Sequence, residues 1–548
     1  MNPAGILLSA FVISFVALVV FIWSQRIGLF DRTSTGAEVI FAPGEIGRIE
    51  EPAGTDSTQR ALQGAVDAAG TGTAAHGDPH EIAERAAADA STGPLIFFFY
   101  CCSIVWLLVA SVAGLTASIK LHDPDWLTSQ QWLTFGIIRT LHLNSVAYGW
   151  TPMAGLGTVL FVIPRVLKTP LIGMRFAFLG AILWNAGLIA GLGAIAAGFN
   201  AGLMWLEMPW QVSILMAVGG ALIGLPLVLT LVNRRVEHLY VSVWYMGAAL
   251  FWFPVLFITA KIPGLYTGVQ AGTMNWWFGH NVLGLFYTPL ALASIYYFLP
   301  KIIGRPIRSY NLSLLGFWAL AFFYGQVGGH HLIGGPVPEW LITLSIVQSM
   351  MMIIPVAAFS VNMYQTLEGQ LATFRHSPTL RFIGVGGLMY AASSLQGSIE
   401  ALRSVNRITH FTHFTVAHAH LGLYGFVTFV FFGAMYFVMP RITAREWPYP
   451  KLISAHFWLV SVGFAIYFIG LTIGGWLQGE AMLDGSRPFM DSVAVTIPYL
   501  QARSIGGAIM GLGHLIFAAH FIAMVLNFGP TRNQPALFSH LLAKKVAP

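Results

Sequence analysis

From residue 94 onward the chain alternates long apolar runs with short polar loops, each run long enough for an α-helix to cross a bilayer. The runs cover residues 94–117, 134–163, 173–198, 209–232, 239–261, 276–300, 310–333, 338–362, 380–403, 411–440, 452–475 and 503–528, which predicts about twelve spanning helices. Every second loop is basic: Arg165 and Lys168; Arg234 and Arg235; Lys301, Arg305 and Arg308; Arg375 and Arg381; Arg441, Arg445 and Lys451. The loops between them hold few cations, so the positive-inside rule turns the basic loops toward the cytoplasm. Residues 5–23 form one more apolar run, without the basic start and small-residue exit of a cleaved signal. Residues 25–93 are rich in Gly, Ala, Thr, Asp and Glu with no sustained apolar period, as in a flexible linker. The expected layout is all-α and polytopic. A transmembrane anchor (1–24) and a cytoplasmic linker (25–93) precede a twelve-helix core (94–530) and a cytoplasmic tail (531–548).

Composition agrees with a membrane protein. Of 548 residues 56% are hydrophobic and only 9% charged, against about 25% charged in soluble domains. The net charge of +6 is spread over the loops, so nucleic-acid binding is not indicated. The two cysteines, Cys101 and Cys102, are adjacent in an apolar run and read as small buried residues. They provide neither a disulfide framework nor a C-x-x-C-H haem attachment, so any covalently held haem belongs to another chain.

The chemistry-bearing residues are six histidines within the apolar segments: His142, His280, His330, His331, His418 and His420. An imidazole in hydrocarbon is costly without a partner. The loop sidedness puts all six at one level, in the outer part of the membrane. Adjacent helical positions such as His330 and His331 are about 100° apart, so both can lean toward one metal; with His280 they form a three-imidazole set suited to copper or zinc. His418 and His420 point roughly 200° apart and must serve two cofactors on opposite faces of their helix. Both suit axial haem ligation, with His142 as the second axial ligand of one haem.

At this point residues 94–530 resemble subunit I of the heme-copper oxidases, and more closely the C-type, cbb3-type cytochrome c oxidases. The motifs are "GIIRTLHLNS", "LEMPW", "NRRVEHLYVSVWY", "NWWFGHNVLG", "YYFLPK", "SYNLS", "YGQVGGHH" and "SVNRITHFTHFTVAHAH". The resemblance implies two b-type haems and one copper. His142 and His420 would hold the low-spin haem iron, His418 the high-spin haem iron, and His280, His330 and His331 the copper. It also implies reduction of oxygen to water with electrons from cytochrome c, proton uptake and pumping, c-type cytochrome partner subunits, and a place in the bacterial cytoplasmic membrane.

Tyr324 lies seven positions before His331, two α-helical turns deeper on the same face. A phenol there can give a proton and an electron to oxygen between iron and copper, and in the resembling family a matching tyrosine is cross-linked to the histidine that corresponds to His280. Tyr296, Tyr297, Tyr310 and Ser313 lie at the inner ends of the sixth and seventh core helices and resemble the family's proton-uptake path. On the outer side, Arg403 and Arg407 suit haem propionates. Glu207 matches a residue that helps hold a calcium there, and His410 matches a histidine nearby.

Two positions depart from the family pattern. Gln396 stands where a glutamate is expected, with Glu400 one turn later, and His413 stands where aspartate is common. Nitric oxide reductases share the histidine skeleton but carry a glutamate four residues after the sixth-helix histidine, where this chain has Gly284, and they lack the counterpart of Tyr324. A non-catalytic haem carrier or transporter would explain twelve helices but not the copper set. Finally, "SQRIGLFDRTSTGAEVIF" resembles the small S-type maturation protein of cbb3 oxidases, which would make the N-terminus a fused assembly segment.

Overall fold

The computed structural model describes residues 36–41, 45–47 and 79–532, with scattered positions between 8 and 27. The expected N-terminal anchor, most of the linker and its maturation-like motif, and the C-terminal tail lie outside the described residues. Within the linker span, helix α1 (Pro79–Ala90) precedes the core. The core helices follow as α2 (Gly93–Lys120), α3 (Phe135–Val166), α4 (Met174–Ala196), α5 (Trp210–Val232), α6 (Val241–Lys261), α7 (Val269–Ile303), α8 (Tyr310–Leu332) and α9 (Glu339–Leu367). Then come α10 (Pro378–Glu400), α11 (His413–Thr443), α12 (Pro450–Leu483) and α13 (Phe489–Val525). Among the described residues, eleven helices are long and apolar enough to cross a membrane. The exception is α10: its 23 residues suffice in length, but Gly, Ser and Gln dilute its apolar content.

Burial separates helices that sequence shows as uniformly apolar. α3, α7 and α11 are enclosed over 94%, 89% and 83% of their apolar windows, and form the centre of the bundle. α4, α5, α12 and α13 leave large apolar side chains such as Phe176, Ile189, Ile214, Leu225, Trp458, Ile469, Leu512 and Leu515 exposed, as lipid-facing helices do. All six singled-out histidines are on α3, α7, α8 and α11, near one end of the bundle. The basic loops occupy the other end.

That cation-rich end is tied down by its own chemistry. Ser309 and Ser377 cap α8 and α10, accepting from the backbone N–H of Leu312 (3.2 Å) and Leu380 (3.0 Å). Gly304 closes α7 with a left-handed φ of 63°, which a residue without Cβ adopts at no cost. Lys301 pairs with Glu45 and donates to the carbonyl of Ile40 (3.0 Å), docking residues 36–41 and 45–47 onto α7. Arg165 of α3 forms a two-bond pair with Asp89 and so holds α1 in place.

Candidate functional site

The helices that carry the histidines depart from α geometry beside them. α3 is π-helical over Ser145–Trp150, α7 over Leu283–Tyr287 and α11 over Leu421–Thr428. α8 tightens to a 3-10 helix over Tyr324–Leu332. Wider and tighter turns re-aim side chains and often mark functional segments. The α-helical account of Tyr324 therefore needs correction. At about 120° per residue, Tyr324 comes into line with His330, six positions on, rather than with His331.

His280, His330 and His331 converge as expected. Their ligand atoms lie within 4.8 Å of one another, the one such group of three or more potential donors among the described residues. The His280 ring is 4.8 Å from that of His330 and 5.3 Å from that of His331. Two partners that sequence reasoning missed hold the set. Ser349 binds His330 Nδ1 at 2.9 Å, which leaves Nε2 to face the cluster, and Trp276 stacks on His331 at 4.0 Å. His280 Nδ1 is buried without a hydrogen-bond partner. Three converging imidazoles with an orphaned ring nitrogen fit a copper ion.

The Tyr324 ring stands 5.0 Å from that of His280. It occupies the space above Gly284: a Cβ added there would fall into the phenol ring. The approach of α7 to the tyrosine therefore requires glycine at that position.

His142 and His420 face one another across α3 and α11 with ring centroids 6.3 Å apart and planes within 5°. Each Nδ1 is tied to a carbonyl at 2.8 Å, that of Ala110 or Val416, which directs Nε2 inward. Two metal–nitrogen bonds of roughly 2 Å plus the inner halves of two rings fill this separation, so the pair fits a six-coordinate haem iron. Gly114 of α2 gives His142 its room, since an added Cβ would lie 2.6 Å from Nδ1. The Tyr467 hydroxyl, also missed, lies 3.1 Å from His420 Nε2.

His418 turns to the other face of α11, toward α10. Its Nδ1 is 4.0 Å from Glu400 Oε2, and both atoms are buried without a hydrogen-bond partner. Thr415 donates to Glu400 Oε1 at 2.7 Å. Glu400 was noted only as a departure; a lone carboxylate in an apolar helix was the signal for its role. Gln396, one turn earlier, has a buried and unpartnered Oε1, while the backbone N–H of His413 donates to Gln478 (3.0 Å).

The four residues expected on the proton path do not all face one way. Tyr240 donates to the Tyr296 carbonyl and Tyr310 to the Leu239 carbonyl, both at 2.7 Å. Tyr245 stacks on Tyr296 at 5.9 Å. Tyr297 lies instead against Phe161 at 6.2 Å, about 100° round α7. Ser313 spends its hydroxyl on the Tyr310 carbonyl at 2.6 Å. Tyr240 and Tyr245 were not singled out in the sequence, although both lie in the motif "NRRVEHLYVSVWY".

At the histidine end, Arg403 reaches outward to Glu339 (2.7 Å) and Thr343 (3.1 Å) and is half exposed, while Arg407 lies on the same short helix, Arg403–Thr409. His410 stacks on Phe411 at 3.9 Å, and partial burial lowers its pKa from the ordinary value. Glu207 is buried in the loop before α5, accepts from Asn144 Nδ2 at 3.1 Å, and is pushed up in pKa by that burial. It belongs to no group of three or more His, Cys, Asp or Glu residues among the described ones, so no carboxylate cluster there supports a calcium. Cys101 and Cys102 are free and half-buried rather than fully buried.

Fold and site together define a many-helix membrane protein with a three-histidine cluster, buried at His330 and half-buried at His280 and His331, beside a facing histidine pair. Residues 95–509 match the family described as cytochrome c and quinol oxidase polypeptide I, and the chain belongs to that family. It is 31% identical over 432 residues to the cbb3-type cytochrome c oxidase subunit CcoN1 of Stutzerimonas stutzeri, covering 76% of this chain and 91% of that one. It is also 31% identical over 452 residues to cytochrome c oxidase subunit 1 of Rhodobacter capsulatus, covering 78% and 84%. A heme-copper terminal oxidase dimer solved by cryo-electron microscopy shares the fold, with a TM-score of 0.61 at 16% identity over 80% of this chain and 85% of that one. The protein is thus a heme-copper oxidase subunit I homologue, an oxidoreductase, and its unmatched N-terminal stretch lies outside the family region.

Proposed function

We propose that this chain is the catalytic subunit of a cbb3-type cytochrome c oxidase that reduces oxygen to water in a bacterial cytoplasmic membrane. The observation that carries the reading is the Tyr324 phenol lodged between the three-histidine cluster and Gly284. His142 and His420 would hold a low-spin b-type haem, His418 a high-spin one, and the cluster the copper. When bound, these groups carry electrons and perform the oxygen chemistry. The chain's own residues place and feed them. Ser349 and the carbonyls of Ala110 and Val416 fix the imidazole tautomers. Tyr324 supplies a proton from Oη, and the column of Tyr310, Tyr240, Tyr245 and Tyr296 leads protons toward it from the cation-rich end, which faces the cytoplasm. With no C-x-x-C-H of its own, the chain needs c-type cytochrome subunits, and cytochrome c as donor.

Gly284 and Tyr324 favour the oxidase over a nitric oxide reductase, since a side chain at position 284 would take the space that the Tyr324 ring fills. Oxygen uptake and nitric oxide uptake by the purified complex test the choice. Oxygen turnover that vanishes in Tyr324→Phe with both haems retained supports the oxidase. Nitric oxide turnover with oxygen inert overturns it.

A further inference from the structure

The cation-rich mouth of the tyrosine column is covered by chain from outside the family region. Residues 36–41 and 45–47 precede the family match, which begins at residue 95. They nevertheless dock on the loop before α6 and on the neighbouring ends of α7 and α8. Gly36 lies against the outermost members of the column: a Cβ there would stand 2.7 Å from His238 Nε2 and 3.5 Å from the Tyr310 ring. His238 in turn packs on Tyr310 at 5.0 Å, and Tyr310 on Tyr240 at 6.1 Å. Tyr310 is only 3% exposed, so beneath this cover the column does not open directly to water.

The stretch has the build of a lid. Ala37 and Ile40 face inward, each 5% exposed, and share one apolar core with Tyr310, Tyr240 and Tyr296. Glu38 and Val39 face outward. An apolar cover of this kind excludes the water that would bring protons to the first tyrosine. Its seat is the end of α7. Lys301 pairs with Glu45, donates to the Ile40 carbonyl and lies 5.2 Å over the Phe41 ring. The Gly47 backbone N–H donates to the Gly304 carbonyl at 2.7 Å. A short surface stretch held in this way can open locally while the helices beneath it stay folded.

We propose that residues 36–41 and 45–47 are a gate on proton uptake. Seated, the stretch closes the mouth of the tyrosine column; lifted from Lys301, it lets protons through to Tyr310. The Glu45–Lys301 pair sets the balance between the two positions, because Lys301 is fixed in α7 and buried, whereas Glu45 moves with the stretch. The gate makes and breaks no covalent bond and consumes no co-reactant. The inference rests on the terminal-oxidase reading, whose demand for protons the column serves.

The test uses the purified full-chain complex. Fully reduced enzyme is mixed rapidly with oxygen, and a pH-indicator dye in weakly buffered medium records proton uptake alongside haem oxidation. Glu45→Lys sets two cations against each other at the seat, and Ala37→Arg forces a bulky cation into a buried alanine site. Hydrogen–deuterium exchange of the peptides that contain these residues reports lifting, and should be about 10-fold faster or more in both variants. Both should keep their haem and copper, and take up protons about threefold faster or more with the same number per oxygen. An unchanged uptake rate in a lifted variant overturns the gate. Slower uptake also overturns it, since the stretch would then serve the entrance rather than close it. Unchanged exchange in both variants overturns the seat. Loss of haem from both overturns the gate as well, by making the stretch part of the core fold. Wild-type enzyme that consumes no oxygen refutes the oxidase reading instead, a separate outcome.

Discussion

Gly284→Ala tests the steric contact at the centre of the site. An alanine Cβ overlaps the Tyr324 ring, so the phenol or α7 must move. Overpacking of this kind costs about 1–3 kcal/mol. Replacing glycine within a helix returns about 0.8–1 kcal/mol. The net loss in stability is therefore small, on the order of 0–2 kcal/mol, and the variant should assemble. The damage falls on geometry, because the ring that stands 5.0 Å from His280 is forced off its place. A displacement near 1 Å in a reacting group can cost roughly 100-fold in rate. Haem content by the pyridine haemochrome spectrum, copper by mass spectrometry and oxygen uptake by electrode should show both metals near wild type and turnover down about 100-fold. Wild-type turnover in a fully loaded Gly284→Ala complex would refute the claim that Tyr324 must occupy that space.

Other outcomes follow from the same geometry. Gly114→Val should push His142 off the Ala110 carbonyl and remove the low-spin haem spectrum while the carbon monoxide-binding haem persists; an unchanged low-spin spectrum contradicts the pairing with His420. Ser349→Ala should free the His330 ring and lower copper content by about 10-fold or more at fixed external copper, as loss of a ligand's supporting hydrogen bond does, and normal copper loading contradicts it. For Glu207, burial raises the folded-state pKa above the ordinary 4.5, so the folded protein binds its proton more tightly than the unfolded chain. Its contribution to stability is full below pH 4.5 and is lost as pH rises through the folded value. Glu207→Gln should therefore raise the melting temperature at pH 7 and change it little at pH 4, and equal shifts at both pH values contradict the assignment.

Apolar run length made eleven of the helices legible as spans, because a bilayer sets their length directly. Which helices form the centre was not legible: α3 and α12 read alike, and only packing shows that one is enclosed and the other half bare. The six histidines were legible because two of their spacings, adjacent and i,i+2, carry angular information. Their re-aiming was not. π and 3-10 turns leave no local signature in "SVAYGW", "LGLFY" or "YGQVGGHHL", since the same residues form ordinary α-helix elsewhere. That is why α-helical spacing aligned Tyr324 with His331, whereas the 3-10 turns align it with His330.

The central claim is that the three-histidine cluster holds copper opposite a haem in an oxygen-reducing site. Metal and haem quantification on the purified, turning-over complex tests it most directly. The account predicts one copper for every two b-type haems in this chain and oxygen uptake that tracks copper content. Absence of copper with extra non-haem iron, in a preparation that consumes nitric oxide, would contradict it.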